Sequence, residues 1–424
     1  MTMSVTRKPR SAAALARLSA PLAITCFVVV GLSYVTNAMD RQVFSVLLPG
    51  IQKEYGFDLS QGGLLSTIFT LGIGVAGIPG SYLLNRFSRK SVIIVGIAIY
   101  SIFTLLTALS VSFGDMFVYR ALSGVGEAIQ NAALFSAVGA YFFRQRALAV
   151  GSLNFAYGLG AFIGPRFGGQ LEAISGQWRT PFYVFAALGL AFAVIITVVV
   201  TKRFTEQAEQ GHDATAADER LFAHMPERLY NRNVVVLGIV SAVVGVSVYG
   251  YLGLYPTFLQ TVHHFSVVES GTAVGMYGFG ALMGIPAGLL GDRVNQRWIL
   301  IVSLVAGSVI GFLLFNGPGT PVAQNWLSFL EGTVGSGLLF TNTYSAMQRS
   351  VRPHFIGRVS GFFVSAWYLP SALAGYLFAS LHNGFGWGGA SIVQLSLVPF
   401  IGVIALFFLD MRRVSNAKVA SLEH

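Results

Sequence analysis

Charge is scarce in this chain. Only 10% of its 424 residues are Asp, Glu, Lys or Arg, against about 25% in a soluble domain. That leaves too little polar surface to clothe a water-soluble globule. Cysteine is scarcer still: Cys26 is the single thiol and sits inside an apolar run. An intrachain disulfide is therefore excluded, and no His/Cys cluster has the spacing of a metal site. A small buried role is expected for Cys26. The short alternating segments of a transmembrane barrel are missing too. So is any nucleophile–base pair that would suggest an enzyme.

What the chain has instead is long apolar runs. Hydrophobic residues make up 54% of it, gathered in blocks rather than in stripes of helix or strand period. A helix needs roughly 20 apolar residues to cross the hydrocarbon core. Blocks of that order lie at 21–49, 62–84, 91–110, 115–141, 147–171, 180–201, 233–258, 268–290, 298–316, 322–348, 357–381 and 388–410. The pattern predicts an all-α membrane protein of twelve transmembrane helices. The first block is too long for a signal peptide and has no small-residue cleavage site beside it, so it is expected to remain as helix 1.

The net charge of +10 invites a nucleic-acid reading, but its placement argues against one. With the N-terminus in the cytoplasm and loops assigned alternately, 22 of the 27 basic residues fall on the cytoplasmic side. The exceptions are Arg41, Lys53, Arg120, Arg166 and Arg179. The positive-inside rule accounts for the excess. An even number of helices puts both termini in the cytoplasm. The expectation is a multi-pass inner-membrane protein, monomeric, with the lipid bilayer and a small molecule as partners and no nucleic acid.

One stretch breaks the apolar pattern. Residues 202–232 carry Glu206, Glu209, Asp213, Asp218, Glu219 and Glu227 among basic residues, Ala and Gln. They read as a cytoplasmic linker, with room for a short surface helix. The chain thus divides into a tail (1–20), a six-helix bundle (21–201), the linker (202–232), a second bundle (233–410) and a tail (411–424). The bundles resemble each other. Ile78-Pro79-Gly80 through Arg86 ends helix 2, and Ile285-Pro286-Ala287 through Arg293 ends helix 8. Pro49 and Pro256 fall at the expected ends of helices 1 and 7, and Val125-Gly126 matches Val334-Gly335. Repeats in this order indicate duplication, which places a binding site at mid-membrane between the halves. Many of the 49 glycines lie inside the helices, where small residues let helices pack closely.

Four motifs coincide with this organisation. Ser81 to Lys90, with Asn85 and Arg86, resembles G-x-x-x-D-R-x-G-R-R, and Gly288 to Arg297, with Asp292 and Arg293, is its second copy. Helix 4 carries Arg120-Ala121-Leu122-Ser123-Gly124-Val125-Gly126-Glu127-Ala128, similar to R-x-x-x-G-x-G-x-A. Helix 5 carries Gly160 to Gly169 around Gly164-Pro165, similar to G-x-x-x-G-P-x-x-G-G. Together these resemble the major facilitator superfamily over essentially the whole chain. The resemblance implies two pseudo-symmetric six-helix bundles with gating charges at Asn85, Arg86, Asp292 and Arg293. The first copy departs from the pattern: Ser81 replaces Gly and Asn85 replaces Asp, so that latch has lost its carboxylate. In helix 5, Pro165 removes a backbone donor and Gly164 permits bending; a gating hinge and a static packing kink both fit.

Ionisable residues inside a membrane are costly and usually face a cavity or a partner. Helix 1 offers Asn37, Asp40 and Arg41, and helix 4 offers Arg120, Glu127 and Asn131, which share one helical face. Counted from the expected outer ends, Asp40 and Glu127 lie at similar depth, to roughly 3 Å. Asp40 and Glu127 are therefore the candidate proton carriers, with Arg41, Arg120 and Asn131 as candidate anion-binding groups. A static ion cluster is the alternative. The second half holds one main intramembrane charge, Glu331, read as a residue near the outer end of helix 10. It contributes Tyr249, Tyr255, Asn342, Tyr344 and Trp367 as candidate substrate-binding walls, with packing or interface roles as the alternative. His263 and His264 are read as solvated in loop 7–8.

The Asp40-Arg41, Arg120 and Glu127 set resembles two branches of the superfamily, the anion:cation symporters and the Spinster-like transporters. The expectation is proton-coupled symport of a small organic anion, a carboxylate, by alternating access, with no cofactor beyond the coupling proton. Two alternatives stand beside it: a Spinster-like exporter of a lipid or amphiphile, and a non-transporting sensor or scaffold.

Overall fold

The structure is a computed structural model that describes residues 18–142, 145–207, 226–352 and 355–414. Every regular element among these residues is helical. The first half contains α1 (Ala20–Tyr55), α2 (Leu59–Thr67 continued by Phe69–Arg86), α3 (Arg89–Ala108), α4 (Phe113–Tyr141), α5 (Arg146–Ser175) and α6 (Arg179–Val199). A single helical turn, Lys202–Thr205, follows. The second half contains α7 (Arg232–Val262), α8 (Val267–Ala281 continued by Gly284–Arg293), α9 (Gln296–Asn316) and α10. The last of these runs through Pro321–Gly332, a π-helical stretch Thr333–Phe340, and Thr341–Gln348. α11 is Ile356–Ser371 with the first part of Ala374–Ser391, up to a break at Gly386 (φ 68°, ψ 179°). α12 follows the break through a second π stretch, Ile392–Leu397, to Pro399–Phe407. Most of the expected linker helix falls in residues 208–225, outside the described residues.

Nine helical stretches among the described residues are long and apolar enough to cross a bilayer, and one, Ile356–Phe407, is 52 residues long. At about 1.5 Å rise per residue that is more than two membrane thicknesses, and the backbone reversal at Gly386 supplies the turn. Large apolar side chains stay exposed along the spans, including Val28, Val198, Val302 and Ile404. Lipid tolerates such a surface and water does not.

Capping residues repeat between the halves. Asp58 opens α2 and Ser266 opens α8, each with a reciprocal capping box, to Gln61 and Glu269. Ser112 caps α4 and Thr320 caps α10. Each of these pairs is 208 residues apart, so the duplication extends to the helix starts. Pro49 and Pro256 differ from expectation: both lie inside their helices, six residues before the ends at Tyr55 and Val262. A proline removes only one backbone donor, and packing carries these helices past it.

The halves meet along α5–α8, α2–α11 and α1–α7, while all extensive contacts of α4 and α10 stay within their own half. The approach is tightest away from the basic loops. There the backbones of Gly63 and Gly375 touch, and a Cβ on either would strike the other's carbonyl. Thr67 Oγ1 donates to the Ala372 carbonyl at 2.9 Å, and Gln260 Nε2 donates to the Val46 carbonyl at 3.0 Å. Nearer the basic side, a Cβ on Gly77 would come to 3.2 Å of Val364 Cγ1. The basic-side part of α8, Gly284–Arg293, packs on α9 and α10 of its own half.

Candidate functional site

The buried charges of the first half assemble on two helices, α1 and α4, with Thr104 of α3 beside them. From the observed helix ends, Asp40 lies fifteen residues before Tyr55 and Glu127 fourteen after Phe113, level to roughly 2 Å. The pairing is nevertheless specific. Arg41 Nε donates to Glu127 Oε2 at 2.6 Å, with both side chains out of solvent. Arg41 Nη2 reaches Asn37 Oδ1 at 3.5 Å. Asn37 Nδ2 donates to Gln130 Oε1 at 2.8 Å, and Gln130 Nε2 to Ser33 Oγ at 3.3 Å. This chain of amides ties α1 to α4 and orients the ion pair.

Asp40 turns the other way. Thr104 Oγ1 on α3 donates to Asp40 Oδ2 at 2.6 Å, and Asp40 Oδ1 has no partner. It lies within electrostatic reach of Glu127, Arg120 and Arg41. Arg120 is 1% exposed, and its guanidinium sits over the rings of Phe44 (4.4 Å) and Phe69 (5.0 Å). Its Nε and Nη2 donors have no hydrogen-bond partner, nor does Asn131 Oδ1. Unsatisfied buried donors are costly and uncommon, so Arg120 presents open anion-binding capacity.

A small cavity of about 10 Å³ opens between the halves, lined by Arg41, Gln42, Ser45, Ser66, Phe69, Tyr249, Leu252 and Gly253. Arg41 and Tyr249 thus face each other across the interface. Tyr249 packs on Phe69 and Tyr368, and Tyr157 flanks the other side of Arg41 at 5.4 Å. The remaining C-half candidates do not gather there. Tyr255 donates to Gln324 Oε1 at 2.7 Å within its own half. Asn342 Nδ2 donates to the Ala287 and Leu338 carbonyls, joining α10 to α8. Tyr344 bonds Ser360 at 3.1 Å, and Trp367 is packed between Phe340 and Phe363. These four serve packing contacts between helices of the second half in this conformation.

Glu331 requires correction. It lies ten residues into α10, buried, and not near the outer end. α10 begins at Pro321, capped by Thr320 and one residue from the expected start, and the ten residues from there carry Glu331 roughly 15 Å inward. Thr104, Gln130 and Tyr157 were not singled out in the sequence. Gln130 was reachable, one turn beyond Glu127; a lone Thr in apolar α3 gives no signal.

Of the gating candidates, Arg86 and Arg293 are exposed at the ends of α2 and α8. The side chains of Asn85 and Asp292 lie outside the described ones. Gly164 abuts Met39 on α1, where a Cβ would come to 2.5 Å of Met39 Cα. The Pro165 carbonyl faces Gly271 of α8 across the interface. The adjoining cations have matched roles: Arg89 donates to the Thr205 and Gln207 carbonyls beyond α6, and Arg297 donates to the Leu409 carbonyl beyond α12. Each motif therefore ties its loop to the last helix of its own half.

Comparison with known proteins agrees with this architecture. The chain is 25% identical over 353 residues to the hexuronate transporter of Bacillus subtilis, covering 78% of this chain and 81% of that one. It is 25% identical to the sphingosine-1-phosphate transporter SPNS2 of Danio rerio, covering 97% and 89%. The crystal structure of a bacterial homologue of the lysosomal transporter Spinster, inward-facing and unoccupied, superposes with a TM-score of 0.71 at 20% identity, over 95% of this chain and 99% of that one. The family model of the Major Facilitator Superfamily matches residues 30–375, and the chain accordingly belongs to that superfamily of multi-pass membrane transporters.

Proposed function

We propose that this protein couples protons to the movement of a small organic anion, a carboxylate, by alternating access across the inner membrane, with both termini in the cytoplasm. The observation that carries the reading is Arg41, which pairs with Glu127 on one side and lines the cavity between the halves on the other. One guanidinium cannot serve two carboxylates equally at one edge. A substrate carboxylate arriving at Arg41 competes with Glu127, and the displaced Glu127 is accommodated most readily as the neutral acid. Proton uptake and anion binding are thereby linked. Asp40, held by Thr104, is the second carrier, and Arg120 attracts the anion through its open donors.

The tight contact away from the basic loops corresponds to a transporter closed on the outer face, with the positive-inside rule setting the orientation. A second reading, export of an amphiphile bearing an anionic head, draws on the SPNS2 relative and on the apolar walls Phe69 and Leu252. Purified protein in liposomes under an imposed inward proton gradient tests both. Concentrative uptake of a hexuronate, competed by other sugar acids and abolished by a protonophore, supports the first. Lysolipid movement with no sugar-acid uptake overturns it in favour of the second.

A further inference from the structure

A second buried carboxylate lies apart from the site just described, inside the second half. Glu331 is 5% exposed, its Oε2 has no hydrogen-bond partner, and no basic side chain among the described residues pairs with it. It borders a cavity of about 20 Å³ with Ser247 and Val248 of α7, Gly307 of α9, Leu339 of α10 and Leu395 of α12. That volume admits a water molecule. An unpaired carboxylate charge is costly in such surroundings, and residues of this kind within membranes are characteristically functional.

The backbone around the cavity is unusual. Two π-helical stretches, Thr333–Phe340 and Ile392–Leu397, contribute Leu339 and Leu395 to its wall. π-Helical turns are rare and recur at functional sites. Ser247 Oγ donates to the Gln394 carbonyl at 3.0 Å, tying α7 to the second stretch, and Gln394 Oε1 is buried without a partner. The titratable groups that face Glu331 are Tyr251 of α7 and Tyr277 of α8. Tyr251 is already bonded to Ser328 at 2.6 Å. α9 and α12 present Leu304, Gly307, Leu395 and Pro399. Among the described residues no counter-charge is therefore at hand, while room for one water and two π-helical stretches are.

We propose that Glu331 is a second, independent protonation site: its carboxylate takes up a solvent proton relayed through the cavity to become the neutral acid, and returns it by the same route when the π stretches of α10 and α12 rearrange. The site goes beyond the coupling set on α1 and α4 and needs no substrate to be observed. Its failure is thus distinguishable from failure of the transport reading.

The test is infrared difference spectroscopy on the full-length protein in lipid nanodiscs, titrated over pH without substrate. In an Asp40→Asn/Glu127→Gln background, a protonated-carboxyl band is expected to persist, to disappear reversibly as pH rises, and to be removed by Glu331→Gln. Glu331→Asp, which keeps the carboxyl but shortens it, should displace the band and so serves if the Gln variant fails to fold. If the background does not fold, the wild-type minus Glu331→Gln difference reads the same band. A spectrum unchanged by either substitution at Glu331 overturns the proposal. So does a Glu331 band that stays constant across the whole titration, which would mark a permanently neutral packing residue.

Discussion

Replacing Glu127 by Gln tests the coupling reading at its centre. The Arg41–Glu127 contact is 2.6 Å long, with side chains 3% and 0% exposed. Glutamine keeps the shape and removes the charge. The bond falls from a charge-assisted one, contributing about 1.5–3 kcal/mol, to a neutral one of about 0.5–1.5 kcal/mol. Asn37, 3.5 Å from Nη2, is too distant to make up the difference. With the Arg41 charge also left buried without its counter-charge, the expected loss rises to about 3–5 kcal/mol of stability, read as a lower unfolding temperature in nanodiscs. The functional effect should be selective. Exchange of labelled for unlabelled anion needs no net proton movement and should continue. Accumulation driven by a proton gradient should fall at least about tenfold, equivalent to about 1.4 kcal/mol of lost coupling. Undiminished accumulation would refute the reasoning. So would a double-mutant cycle with Arg41→Gln that shows a coupling energy below about 0.5 kcal/mol, the usual limit of additivity for independent sites.

Further outcomes follow from other contacts. Thr104→Val leaves both oxygens of Asp40 without a partner and should cost about 1–3 kcal/mol of stability, checked by thermal unfolding; an unchanged midpoint would show that Asp40 is solvated instead. Gly375→Val places a side chain where Gly63 and Gly375 touch, so outer closure should fail. Transport should be lost while thiol labelling of a cysteine introduced near the outer end of α7 increases, and normal flux would contradict the assignment of that contact as the outer seal. Burial and the neighbouring His264 hold the His263 imidazole, just past the end of α7, below its ordinary value. A depressed folded value means that the unfolded chain takes the proton first, so stability is intact above about pH 6.5 and declines as pH falls below it. His263→Asn should flatten that acid limb of the unfolding profile. Finally, Arg89→Ala removes the donors to Thr205 and Gln207 and should speed proteolysis of the segment after α6, whereas an unchanged rate would show that this clamp contributes little.

Much of the architecture was legible because hydrocarbon imposes simple rules. Apolar blocks of bilayer length mark the spans, and basic residues sort to alternate loops. Repeated motifs at the ends of helices 2 and 8 reveal the duplication. Local chemistry was legible in the same way: Asp40, Arg41, Arg120 and Glu127 stand out because charge is expensive in lipid. Helix ends were less so. Pro49 and Pro256 read as stops, yet both helices continue through them, since tertiary packing outweighs one missing backbone bond.

The sequence by itself determined the twelve-span, two-halved membrane transporter and the identities of its intramembrane charges, because membrane solvation acts on each segment separately. Only the tertiary structure decided the partners. It paired Glu127 with Arg41 and Asp40 with Thr104, left Arg120 between two rings with open donors, and placed Glu331 deep in the second half with no counter-charge among the described residues. Depth along a helix follows from counting residues. Which side chains meet depends on how helices from distant parts of the chain rotate against one another, and that rotation is set by close glycine contacts and side-chain volume summed over the whole bundle.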